Sequence, residues 1–122
     1  MTNKASVELD DRELLSAFEA AAISFGLEFE KGDSKKANRA YARCEAIQAE
    51  IHRRGSSMVG CLIELLDAPL PWVQYLAAAY TLDVEPNKAA AVLRKLKDTP
   101  MALGVAAFTT LRAWEMKRVQ IN

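Results

Sequence analysis

Asp67-Ala68-Pro69-Leu70-Pro71-Trp72-Val73-Gln74-Tyr75-Leu76-Ala77-Ala78-Ala79-Tyr80-Thr81-Leu82 is echoed further along the chain by Asp98-Thr99-Pro100-Met101-Ala102-Leu103-Gly104-Val105-Ala106-Ala107-Phe108-Thr109-Thr110-Leu111. Leu62, Leu65, Asp67 and Pro69 return 31 residues on as Leu93, Leu96, Asp98 and Pro100. Ala77, Ala78, Thr81 and Leu82 return 29 residues on as Ala106, Ala107, Thr110 and Leu111. The slip of two residues sits in one connecting segment. A repeat of this period marks stacked supersecondary units. Each unit here reads as helix, Asp-x-Pro break, helix.

Working outward, the same reading extends to both ends. Pro71 stands where a first helical turn tolerates it, and Val73, Leu76, Ala77 and Tyr80 follow at helical spacing. Pro86 opens a fifth helix that buries Ala89, Leu93 and Leu96. Thr99 and Pro100 open a sixth, with Leu103, Ala107, Leu111 and Trp114 inward. Before the repeat, Met58, Val59, Cys61, Leu62, Ile63, Leu65 and Leu66 are apolar nearly all round, which predicts a third helix at the centre of the fold. Ahead of it, Asp33 or Ser34 caps a second helix with Ala37, Tyr41, Cys44, Ile47 and Ile51 inward, closed by Gly55. The first helix runs from Asp11 to about Phe29. Asp10 and Glu13 form its capping box, Leu14, Phe18, Ala21, Ala22, Phe25 and Phe29 its inner face, and Gly26 is a place to kink or fray. No segment alternates with period two. The fold class expected is all-α: five to seven antiparallel helices in a helical-hairpin array. The division expected is a tail over 1–9, one domain over 10–118 and a tail over 119–122.

The 122 residues are 51% hydrophobic and 26% charged, as in an ordinary globular domain. No uncharged apolar run is long enough to span a membrane, and Met1 to Asp11 holds no apolar segment of the secretory type. Cys44 and Cys61 read as reduced packing residues. Together these predict a cytoplasmic protein. The net charge is zero, but it is blocked. Residues 1–33 are net acidic, 34–54 net basic, 55–87 hold no Lys or Arg, and 88–118 are net basic. The plain reading is attraction between neighbouring helices; the functional one is a patch that selects a charged partner. A neutral total argues against general nucleic-acid binding, where one basic face dominates.

The stretch Asp67 to Ala78 resembles the HEAT-repeat signature, in which Asp and Pro occupy the turn and an Ala-Ala-rich second helix follows. The longer pattern is similar to a family of small bacterial proteins catalogued as a domain of unknown function. It includes Asn38, Glu45 and Glu50, Arg54-Gly55, the Val73–Leu82 helix, Pro86 and Ala89, and Leu111 and Trp114. The resemblance implies a HEAT-like helical fold and carries no activity with it.

Chemistry is sparse. His52 is the single histidine and lies eight residues from Cys44, roughly 12 Å along a helix, too far for a direct nucleophile pair. Glu45 and Glu50 read as solvated charges. No Cys-x-x-Cys, His pair, EF-hand loop or phosphate loop is present, so no catalytic residue, cofactor or metal is expected. The expected role is a non-catalytic protein–protein interaction module. Its alternatives are an immunity protein that neutralises a toxin and a weak nucleic-acid-binding array. In HEAT-like stacks the second helices line the contact face. The residues expected there are Arg39, Arg43, Gln74, Tyr75 and Arg112, with Trp72 at the rim, as Arg and aromatic side chains dominate interface energies. Tyr75 and Arg112 are both expected to be exposed. The partner is another protein, with no membrane involved and the oligomeric state left open.

Overall fold

A computed structural model describes the backbone of residues 5–121 and the side chains through residue 119. The described residues contain helices and no strand. A 3-10 turn at Ser6–Glu8 precedes α1 (Asp11–Lys31), α2 (Ser34–Arg54) and α3 (Ser56–Glu64). A second 3-10 turn, Leu65–Asp67, leads to α4 (Pro71–Thr81), α5 (Pro86–Leu96) and α6 (Met101–Ile121). The six α-helices fall within the expected number. The chain divides into two compact units between Glu64 and Leu65. That boundary falls inside the first sequence repeat, so α3 and α4 belong to different packing units.

The first unit is built on the α1–α2 hairpin. The capping box forms as read: Asp10 Oδ1 accepts from the Glu13 amide at 2.8 Å, and Glu13 Oε1 accepts from the Asp10 amide at 2.9 Å. Gly32 ends α1 in the left-handed region at φ 78°, where glycine carries no Cβ penalty. Asp33 then caps α2, accepting from the Lys36 amide at 3.0 Å. Leu14, Phe18, Ala21, Ala22 and Phe25 are buried on α1, and Ala37, Cys44, Ile47 and Ile51 on α2. Each large apolar side chain so buried contributes about 1.5–3 kcal/mol. Gly26 neither kinks nor frays the helix: it is buried and α1 continues to Lys31. Tyr41, expected inward, is exposed.

The expectation of a central third helix is corrected. In α3 only Met58 and Leu62 are buried, while Val59, Cys61 and Ile63 are half-buried. The helix ends at Glu64, so its apolar run never presents all its sides to one core.

The second unit comprises the Leu65–Asp67 turn, α4, α5 and α6. Proline occupies the first turn of α4 and of α5. Alanines do the close packing: Ala77, Ala78, Ala89, Ala90 and Ala107 are all buried, and a methyl side chain lets helix axes approach. Buried Thr81 donates its hydroxyl to the Ala77 carbonyl at 2.8 Å. Two boundaries differ from expectation. The helix α6 opens at Met101, with Pro100 outside it, because the Thr99 amide still donates to Leu96 of α5 at 2.9 Å. It also runs through Ile121, past the tail boundary at residue 119.

Candidate interaction surfaces

At the end of α2, Glu50 is buried with its carboxylate gripped from two sides. Arg53 donates Nε and Nη2 to it at 2.7 and 2.6 Å, and Arg54 donates Nε at 2.7 Å. Those donors hold the carboxyl well below its usual 4.5, at about 2. Arg54 continues outward to Asp11 Oδ1 at 2.9 Å and to the Leu9 carbonyl at 2.6 Å. The network therefore ties the segment before α1 to the end of α2. Reading Glu50 as a solvated charge is overturned. The signal available in sequence was its spacing of three and four from Arg53 and Arg54. His52 is half-buried, with Nδ1 2.8 Å from the Gln48 carbonyl. Burial pushes the Cys44 thiol up to about 12, while Cys61 is half-buried. Among the described residues no group of His, Cys, Asp and Glu is arranged to hold a metal ion, and no helix is long and apolar enough to cross a membrane.

The six residues expected at a contact face separate into two kinds. Arg39 and Arg43 come together. With Lys36 they form a seam along α2 that lines a shallow groove of about 340 Å³ with Ala40 and, from α1, Ser24 and Glu28. All three cationic residues are exposed. Arg112 is also exposed, on α6. The other three hold the second unit together. Gln74 Nε2 reaches back to the Leu66 carbonyl at 3.2 Å, closing the 3-10 turn before α4. The Tyr75 hydroxyl is 2.7 Å from Thr110 Oγ1 of α6, and burial raises its pKa. Trp72 is half-buried and meets Tyr75 edge-on, with ring centroids 5.8 Å apart. Tyr75 was expected to be exposed; it faces inward because α6 packs across α4 at that level.

A further surface was not anticipated. Met101, Val105, Phe108, Met116 and Val119 are all exposed, from 52% to 86%. Their spacings of four, three, eight and three keep them on one helical face, with Arg112 in the gap between Phe108 and Met116. Lys97, Asp98 and Gly104 adjoin one half of this stripe, and Glu115 the other. The opposite face of α6 carries the buried Leu103, Ala107 and Leu111. Trp114, expected in the core, is half-buried beneath Arg118, whose guanidinium carbon lies 4.5 Å from the ring centroid. Apolar residues on both faces remove the contrast by which sequence patterning separates inside from outside.

A family model described as Domain of unknown function (DUF2019) matches residues 12–114. The chain belongs to that family. The protein RPA1889 from Rhodopseudomonas palustris CGA009, known from its crystal structure, matches with a TM-score of 0.82 at 19% identity, over 93% of this chain and 94% of that one. At that identity the likeness establishes a shared helical fold. No curated protein matches the sequence.

Proposed function

We propose that this protein is a non-catalytic, cytoplasmic protein-binding module of HEAT-like helical hairpins, and that its α2 seam receives an acidic segment of another protein. The observation that carries this reading is the convergence of Lys36, Arg39 and Arg43 on one groove of the α1–α2 hairpin. Three cations within two helical turns face Glu28, whose carboxylate also lies 3.7 Å from Lys31. Such a surface steers and selects an oppositely charged partner. The sequence repeat supports the hairpin-array part of the reading. A narrower form is an immunity protein that neutralises a cognate bacterial toxin, with the toxin presenting an acidic contact face to the seam.

The test is affinity capture with wild-type protein and with the double variant Arg39→Glu/Arg43→Glu, followed by calorimetric titration of the purified partner. The double variant should keep its thermal midpoint and weaken the partner by at least about tenfold. Equal affinity for both proteins would sink the proposal. Tight, salt-dependent binding of random-sequence DNA lost in the same variant would replace it with the nucleic-acid reading.

A further inference from the structure

We propose that the cleft between α5 and α6 binds a small phosphate monoester carrying a planar ring, the chemistry of a mononucleotide. The cleft lies within the second packing unit and does not depend on the α2 seam. Arg94 and Lys97 reach it from the end of α5, and Phe108, Leu111, Arg112 and Glu115 from α6; together they line a space of about 220 Å³. Residues three or four apart share a helical face, so Arg94 and Lys97 stand on one wall and Phe108 and Arg112 on the other.

The charge of the cleft is only partly met by the chain itself. Among the described residues, neither Lys97 nor Arg112 has an ion pair or a side-chain hydrogen bond. Arg94 has Glu115 at 3.5 Å, longer than the ~2.7–2.9 Å of a charge-assisted hydrogen bond. Arg53 and Arg54, by contrast, grip Glu50 at 2.6 and 2.7 Å. Three cations against one carboxylate leave the cleft with two positive charges in excess. Asp98 lines the neighbouring hollow, with Met101 and Val105. A phosphate monoester carries about −1.5 to −2 at pH 7 and presents three acceptor oxygens, which suits that excess; a carboxylate supplies half of it. Guanidinium forks also match phosphate oxygens in pairs. The apolar wall selects the rest of the ligand. Phe108 is 52% exposed, so its ring is open to stacking by another ring, and buried Leu111 closes the floor beside it. The α2 groove gathers as many cations but has no aromatic side chain, so it offers a ring nothing to stack on. Size limits the occupant, because drug-sized ligands fill about 300–1,000 Å³ and this cleft is smaller.

Titration of the isotope-labelled full chain with 5′-AMP, followed by amide resonances, tests this. Saturable shifts confined to the end of α5 and to α6 are expected, with a dissociation constant below about 1 mM. Ribose 5-phosphate, which lacks the base, and adenosine, which lacks the phosphate, should each bind at least about fivefold more weakly. Lys97→Gln and Arg112→Gln should each weaken 5′-AMP by about threefold to tenfold, with unchanged helical circular dichroism since both sites are exposed. Phe108→Leu should weaken 5′-AMP and leave ribose 5-phosphate unchanged. Arg39→Glu/Arg43→Glu should change neither. No saturable shift at α5 and α6 up to about 10 mM 5′-AMP overturns the proposal, as does binding indifferent to both Lys97→Gln and Arg112→Gln. Ribose 5-phosphate binding as tightly as 5′-AMP overturns the role of the ring. An oligothymidylate of about twenty residues that binds more than about a hundredfold tighter than 5′-AMP overturns the small-molecule site in favour of a nucleic-acid strand.

Discussion

Glu50 shows how much one side chain does in this molecule. A buried carboxylate is tolerated only when its oxygens are satisfied by charged donors, and here Arg53 and Arg54 supply three hydrogen bonds. Its folded pKa lies below the ordinary value, so the stabilisation it brings is present above about pH 4.5 and is lost as pH falls toward 2. Replacing Glu50 by Gln should lower the thermal midpoint at pH 7 by more than about 5 °C. The difference from wild type should shrink as pH falls through that window, which calorimetry at stepped pH measures. Gly104 is a second such position. A Cβ there would run into the Thr99 carbonyl oxygen, because the turn from α5 lies directly on the start of α6. Gly104→Ala should therefore destabilise by about 1–3 kcal/mol, although alanine is the better helix former. A chemical melt no less stable than wild type would contradict this.

At the level of elements, α4 is an internal strut. In sequence its Tyr75 and Gln74 stand out as contact residues because neither falls on the apolar stripe of Val73, Leu76 and Ala77. That reasoning counts only one buried face, whereas α4 is flanked by the Leu65–Asp67 turn, α5 and α6. Tyr75→Phe removes the hydroxyl pair with Thr110 and should cost about 1 kcal/mol. Tyr75→Ala should cost about 2 kcal/mol or more by opening a cavity. Denaturant titration of the two variants separates those contributions. A further element-scale feature is the start of α6, where Met101 holds φ 68°. Left-handed geometry is strained for a residue with a Cβ, so Met101→Gly should be neutral or slightly stabilising. Val105→Gly, in the exposed helix interior, should cost about 1 kcal/mol.

Across the whole molecule, the seam at Lys36, Arg39 and Arg43 lies on the first packing unit and the exposed stripe of α6 on the second. Sites without shared partners act additively. Phe108→Glu should leave partner affinity unchanged in calorimetry. A change beyond about threefold would show that the partner also reaches α6.

Helix existence was legible in the chain because it is a local matter. Apolar residues at three- and four-residue spacing, Asp10 and Asp33 as caps, and Gly55 as a stop each act through bonds made within a turn. Most core positions of α1, α2, α4 and α5 followed from the same periodicity. The convergence of Arg39 and Arg43 was also readable, since four residues on a helix share a face. What periodicity cannot express is which face meets a second neighbour. The apolar run from Met58 to Leu66 predicted a helix buried all round, yet in α3 only Met58 and Leu62 are buried. Glu50 looked solvated until its two arginines turned back on it, and Tyr75 looked free until α6 crossed it. The apolar stripe of α6 was invisible because its opposite face is apolar too. In each case the deciding contact joins residues or helices whose packing a single-helix pattern does not encode.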